Sequence, residues 1–370
     1  MRKFLCRKYI YNLFQSLLIW IVLSYIFDFI ISSVIKYSFD VFSGEQLLNN
    51  RLLLQGFELA KEAGTIFYLI VGVTLGVYNW AYLEFVKKSK WVVRKGNLFR
   101  IVFRLFSIAL FITAIYWFGD VFFERRLGGA FGDVDPYQWQ GELYLSFLMF
   151  VLICSIGLEV AGQMKEVLGP RNFKAFLKGT YTEPIEEERI FMFLDLVDST
   201  KFAEILGHIQ YSAMLKDAFD VMTDCIVDAN AMVYQYIGDE IVFTWEREEG
   251  IRNNQCIVLY QCIRQVFESK RDYFMNTYGM VPFFKAGIHG GRVSGVEIGQ
   301  VKKEIAFHGD VLNTSSRIQH MCKELDEMCL VSEVIFELLS GVNFKEKGEF
   351  LLRGKEKPTK VYALDLLERV

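Results

Sequence analysis

Four stretches of this chain, at about 13–35, 64–86, 101–123 and 141–163, are each almost wholly apolar. Each has the roughly 20 residues that a helix needs to cross a bilayer core of about 30 Å. Lipid offers no partner to an unbonded backbone group, so stretches of this kind can meet it only as helices. They commit the first half of the chain to a bundle of four spans. Segment 13–35 holds one acid, Asp28, and segment 101–123 holds Arg104 near one end and Asp120 near the other, positions from which such groups can snorkel. Asp28, Glu84 and Glu159 are either buried polar groups of a ligand-binding bundle or helix-end acids of a plain anchor.

Positive charge sets the orientation. Arg2, Lys3, Arg7 and Lys8 precede the first span, and Lys87, Lys88, Lys90, Arg94, Lys95 and Arg100 lie between the second and third. Both groups belong in the cytoplasm by the positive-inside rule. Four crossings then return the chain to that side, where Lys165, Arg171, Lys174 and Lys178 follow. The expectation is a multi-pass protein of the cell membrane, with its N-terminus and its C-terminal half in the cytoplasm. The first apolar run is too long for a signal peptide and lacks a small-residue cleavage site, which reads as a retained anchor. A formal net charge of -3 argues against a nucleic-acid partner. The seven cysteines, Cys6, Cys154, Cys225, Cys256, Cys262, Cys322 and Cys329, contain no CxxC pair and read as reduced, mostly buried thiols of a cytosolic domain.

Residues 1–163 thus form the membrane domain and 164–189 a juxtamembrane coupling segment, in which Gly169-Pro170 should end the last span because proline cannot continue the helical ladder. Residues 190–370 alternate strand and helix patterns. Ile190–Leu194 is a continuous apolar run of the kind a buried strand shows, and a long helix follows it. Met232–Ile237 and Ile241–Trp245 flank Gly238-Asp239-Glu240 as a hairpin. A helix is expected at 250–277, strands at 281–289 and 293–298, a helix at 311–325, and strands near 350–352 and 360–364. The fold class is α+β, a mixed sheet with covering helices.

Two acids sit where strands stop. Asp195 ends one and Asp239 tips the hairpin, so adjacent strands would bring both carboxylates to one edge of the sheet. Paired carboxylates with open positions suit Mg²⁺, which keeps water and substrate phosphate as its other ligands. Two such ions stabilise the attacking and leaving oxygens of an in-line phosphoryl displacement. Asn313 and Arg317 are four apart and share a helix face. The Arg suits charge developing on phosphorus and the Asn a sugar oxygen, while Lys355, in the turn Arg353-Gly354-Lys355, offers a point charge to terminal phosphates. His289 and His308 read as packing or hydrogen-bonding residues rather than proton carriers.

These residues stand in Phe193-Leu194-Asp195-Leu196-Val197-Asp198-Ser199-Thr200, Tyr236-Ile237-Gly238-Asp239-Glu240, Gly287-Ile288-His289-Gly290-Gly291, Gly309-Asp310-Val311-Leu312-Asn313-Thr314-Ser315-Ser316-Arg317 and Arg353-Gly354-Lys355. In these five ordered motifs residues 190–364 resemble the catalytic domain of the class III adenylyl/guanylyl cyclases, and the first half resembles the multi-pass anchors of some bacterial members. The resemblance implies that Asp195, Asp239 and the backbone carbonyl of Leu196 bind two Mg²⁺ ions, for which Mn²⁺ can substitute. It implies that Asn313 orients the ribose, that Arg317 serves the transition state and that Lys355 holds the β and γ phosphates. It also implies a homodimer, inactive as a monomer, whose sites combine the acids of one copy with the Asn, Arg and Lys of the other. Gln235 and Ala306 fall at the base-reading positions and depart from both the adenylyl and the guanylyl pattern. The side chain of Gln235 can donate and accept, so ATP is the expected substrate and GTP the variant. Asp198 stands where glycine is common and reads as a helix cap. The expected reaction is conversion of ATP to 3′,5′-cyclic AMP and pyrophosphate. The alternatives are a guanylate cyclase or an inactive nucleotide-binding or dimerisation module.

Overall fold

The computed structural model describes residues 2–42, 68–86, 89–93, 95–127, 137–353 and 355–365. Residues 64–67, Lys87, Lys88, Arg94, Gly354 and 366–370 lie outside the described residues, as do the side chains of Arg2, Lys3, Cys6, Arg7, Lys8, Lys90 and Asp120. The chain divides into two compact units, Met1–Gln163 and Met164–Val370.

The first unit is helical: α1 (Arg2–Phe42), α2 (Tyr68–Val86), α3 (Asn97–Leu127) and α4 (Tyr137–Leu168). Within them Ile10–Ser33, Tyr68–Val86, Asn97–Trp117 and Tyr144–Leu168 are long and apolar enough to cross a membrane. Trp20, Val71, Leu75, Ile108, Ile112 and Val151 pack at the centre. Packing between apolar helices in lipid depends on close backbone approach. Gly76 supplies it, since a Cβ there would lie 2.8 Å from the Leu17 Cα.

A polar chain runs across all four helices inside this core. Asn79 Nδ2 donates to Ser16 Oγ at 2.8 Å, Arg104 Nη2 donates to Asn79 Oδ1 at 2.7 Å, and Arg104 Nη1 pairs with Glu159 Oε2. Arg104 therefore does not snorkel. It is 3% exposed, because a carboxylate and an amide of neighbouring helices satisfy its guanidinium more cheaply than a detour to water. Glu84 is likewise buried and accepts from Asn12 Nδ2 at 2.8 Å.

In the second unit α4 stops at Leu168 and α5 (Pro170–Lys178) begins at once with proline in its first turn, where the missing N–H costs nothing. Then follow β1 (Ile185–Leu196), α6 (Ser199–Val221), α7 (Thr223–Asp228), β2 (Met232–Ile237), β3 (Glu240–Glu246), α8 (Gln255–Ser269), α9 (Arg271–Tyr278), β4 (Phe284–Ile298), β5 (Glu304–His308), α10 (Asp310–Glu324), β6 (Cys329–Ser332), α11 (Glu333–Leu338), β7 (Phe344–Phe350) and β8 (Thr359–Leu364). The mixed sheet has the order β2-β3-β1-β4-β6-β8-β7, with β5 paired to β4, and only β4 and β6 run parallel.

Both faces of β1 are covered. Ile190, Met192 and Leu194 face α6, α7 and α8 through Met214, Ala218, Cys225, Leu259 and Tyr260, while Phe191 and Phe193 join Val242, Val293, Phe307 and Val311 on the other side. This double burial explains the unbroken apolar run in the sequence.

Several sequence expectations are corrected. The single helix at 250–277 is broken, with α8 ending at Ser269 and α9 starting at Arg271. The strands at 281–289 and 293–298 are one strand, β4. The strand near 350–352 lies earlier, at Phe344–Phe350. Asp198 does not cap α6. Its backbone is left-handed at φ 55° with no side-chain capping bond, a conformation that glycine adopts freely and Asp tolerates. Finally, Cys225 and Cys262 form a disulfide rather than two free thiols, because α7 and α8 pack side by side and bring their Cα atoms to 5.7 Å, within bridging range. Cys256, Cys322 and Cys329 are free and buried, and Cys154 is free.

Candidate active site

Asp195 is the last but one residue of β1, and β1 pairs antiparallel with β3 through Leu194 opposite Ile241. The next step along that ladder sets Asp195 beside the hairpin tip, where Gly238 at φ 65° turns the chain toward Asp239 and Glu240. Three acids therefore crowd one sheet edge. Burial first, and the Asp239 charge second, push the Asp195 carboxyl above its usual range, against hydrogen bonds from Gln319 and the Leu196 backbone. Burial and the charges of Asp195 and Asp239 push Glu240 up to about 7.

A second cluster forms on α10. Lys355 Nζ lies 2.9 Å from Asp310 Oδ2, and Thr314 Oγ1 donates to the same oxygen at 3.2 Å. Burial raises the Asp310 carboxyl, but the Lys355 ammonium outweighs it, with help from Thr314 and Arg317, and the net effect is below the usual range. Arg317 is half-buried and its Nη1 has no hydrogen-bond partner among the described residues. Asn313 is exposed on the same helix. The structure thus brings Asp195 to Asp239, and separately Arg317 to Asp310 and Lys355. Within one copy no described hydrogen bond or ion pair joins Asp195 or Asp239 to Asn313, Arg317 or Lys355, although Gln319 of α10 donates to Asp195.

Gln235 and Ala306 lie on β2 and β5, at opposite sides of the β3-β1-β4 layer. The strands curl toward each other, and the neighbouring residues meet. The Phe307 N–H donates to Tyr234 Oη at 3.3 Å, and their rings are 5.3 Å apart. Gln235 is exposed and Ala306 is 9% exposed. His289 is buried and bonded through Nδ1 to Ser332 Oγ at 2.7 Å. Burial, aided by Lys355, lowers its pKa to about 4, so it is a neutral packing residue. His308 is exposed.

Residues 181–365 match the family described as the adenylate and guanylate cyclase catalytic domain. The chain belongs to this family. It is 30% identical over 223 residues to Adenylate cyclase 2 of Rhizobium meliloti (strain 1021), covering 60% of this chain and 61% of that protein. Adenylate cyclase 1 of the same organism is 22% identical over 184 residues, 48% of this chain and 27% of that one. The chain spans less than two thirds of the length of either relative. Similar solved structures include a bacterial light-regulated adenylyl cyclase, with 18% identity, coverage of 58% and 65%, and TM-score 0.49. Another is the adenylyl cyclase CyaB from P. aeruginosa, with 15% identity, coverage of 50% and 98%, and TM-score 0.44.

Cyclases of this class generally use divalent metal ions, and the donors here fit such an ion. Asp195, Asp239 and Glu240 are hard oxygen donors whose mutual repulsion a divalent cation would relieve. Among the described residues no set of three or more His, Cys, Asp or Glu side chains is placed to hold a metal by itself. A cation held by the two aspartates would therefore keep positions for substrate oxygens. Three residues of this cyclase domain carried no role in the sequence reading. Glu240 and Asp310 stood inside quoted motifs, and only the folded charge distribution singles them out. Gln319, buried beside Asp195, lay outside every motif.

Proposed function

We propose that this chain is a membrane-bound adenylate cyclase that converts ATP to 3′,5′-cyclic AMP and pyrophosphate. The observation that carries the proposal is the convergence of Asp195 and Asp239 at one sheet edge, where the Asp239 charge acts on the Asp195 carboxyl. Asp195, Asp239 and the Leu196 carbonyl would hold two Mg²⁺ ions, or Mn²⁺ in their place. Bound there, the ions would favour loss of the 3′-hydroxyl proton and neutralise the triphosphate. Asn313, Arg317 and Lys355 of a second copy would orient the ribose, stabilise charge at phosphorus and bind the β and γ phosphates. Membership of the adenylate and guanylate cyclase family supports this division between protomers, and so a homodimer with two sites. The Arg317 Nη1, without a partner among the described residues, supports a ligand role, since a buried guanidinium nitrogen left unbonded is costly.

ATP is favoured over GTP only by the chemistry of Gln235, whose amide can face the adenine edge, while Ala306 offers no polar group. GTP is the second reading, because the same amide can also face guanine. The four apolar helices and the flanking lysines and arginines support a location in the cell membrane with the cyclase domain in the cytoplasm.

The test is to incubate the full chain, in detergent or nanodiscs, with ATP or GTP and Mg²⁺ or Mn²⁺ and to identify the product. Cyclic AMP is expected from the wild type, and at least roughly 100-fold less from Asp239→Asn, in line with removal of a transition-state contact. Equal turnover by the two would remove the metal assignment, and cyclic GMP made from GTP in preference to cyclic AMP from ATP would replace the substrate.

A further inference from the structure

Gln319 has the surroundings of a side chain with an appointed task. It is 3% exposed, yet its Nε2 donates to Asp195 Oδ2 at 3.3 Å, and its Oε1 has no partner among the described residues. Asp195 is an acceptor, which fixes the amide orientation with nitrogen toward the carboxylate. The contact spans 124 residues of sequence and joins α10 to the end of β1.

Gly287 makes this reach possible. It sits on β4 opposite Phe193, and a Cβ built on it would fall 2.2 Å from the backbone nitrogen of Gln319 and 2.6 Å from its Cα. The helix backbone therefore rests directly on the strand, and the Gln319 side chain is set beside the sheet edge. Burying an amide costs free energy unless it is bonded, and the bond Gln319 makes goes to a carboxylate already crowded by Asp239.

We propose that Gln319 is a positioning residue for divalent-cation binding, its Nε2 holding the Asp195 carboxylate in the orientation that receives the cation. This rests on the cyclase reading above and deepens it. Partners of metal-binding carboxylates orient them by such bonds, and losing one typically weakens metal binding by roughly tenfold or more. A consequence follows for α10. It would carry Asn313 and Arg317 for the site shared with a second copy, and Gln319 for the acids of its own copy. One rigid helix would then set the geometry of both sites of a dimer.

The experiment measures Mn²⁺ binding to the full chain in detergent by electron paramagnetic resonance of the free ion. Thermal unfolding is followed in EDTA alongside. Gln319→Met keeps the volume and removes the donor, and Gln319→Asn keeps the amide but withdraws it by one methylene. Both are expected to bind Mn²⁺ about tenfold more weakly than wild type while unfolding at a similar temperature in EDTA, and raised Mn²⁺ should restore most of the turnover. Folded variants that bind Mn²⁺ as the wild type does would overturn the inference and leave the cyclase reading intact. Loss of folding in both variants would overturn it too, by assigning Gln319 to helix–sheet packing. A wild type that makes no cyclic nucleotide and binds no Mn²⁺ would remove the cyclase reading and this inference together.

Discussion

Lys355 Nζ and Asp310 Oδ2 stand 2.9 Å apart, so the lysine proposed to hold terminal phosphates is engaged by an acid of its own chain. Triphosphate must displace that acid. Pairs of this partly exposed kind contribute at most about 1 kcal/mol. Asp310→Asn is therefore expected to lower KM for the nucleotide by roughly two- to fivefold, and Lys355→Ala to raise it about tenfold or more. Steady-state kinetics decides, and an unchanged KM in Asp310→Asn would mean that the pair does not compete with phosphate.

The two clusters can be separated genetically. Asp239→Asn and Arg317→Ala should each be inactive alone, since every site of either homodimer is damaged. Co-expressed, half of the dimers are mixed and each mixed dimer has one intact site of its two, so activity should return to about a quarter of wild type. Activity that stays at the level of the single variants would place all five side chains in one protomer.

His289 predicts how stability depends on pH. Its pKa falls from 6.5 in the unfolded chain to about 4 in the fold. Between those values the unfolded chain binds the proton and the folded one does not, so acid favours unfolding. The contribution of neutral His289 is complete above pH 6.5 and declines as pH drops toward 4, by up to ~3 kcal/mol for this largely buried ring. Melting curves of the wild type should fall steeply over that window, and those of His289→Gln should be flatter. Parallel curves would exclude the ring as the origin.

In the membrane unit, Arg104 and Glu159 are each 4% exposed at the side chain and paired. Arg104→Leu leaves a buried carboxylate without its cation and should cost about 3–5 kcal/mol. The double substitution Arg104→Leu with Glu159→Leu removes both charges and should cost clearly less than either alone. Thermal unfolding in detergent micelles measures this, and additive losses would show that the two side chains do not interact.

Much of this architecture was legible because burial writes itself into residue type. Ile190–Leu194 read as a strand since both of its faces are covered, and the helix of Asn313 and Arg317 fell within one residue of its observed limits. The edge strand β7 was read several residues late because Lys345, Glu346, Lys347 and Glu349 crowd it with charge. The strand β5 was missed because only Ala306 and Phe307 of its five residues are buried, which leaves no alternation to read. Arg104 looked like a helix-end base, since nothing local reveals that Glu159 awaits it across the bundle. The pairing of Cys225 with Cys262 joins two helices and the contact of Gln319 with Asp195 joins a helix to a strand, at separations of 37 and 124 residues, and no local spacing encodes them.

The bridge from Cys225 to Cys262 encloses the whole β2–β3 hairpin, including its tip at Asp239. A protease that nicks the backbone anywhere inside that ring would leave the two pieces tethered through sulfur. The nicked protein would migrate at full mass on a gel until a thiol was added, and it would keep Asp239 attached to both halves of its sheet.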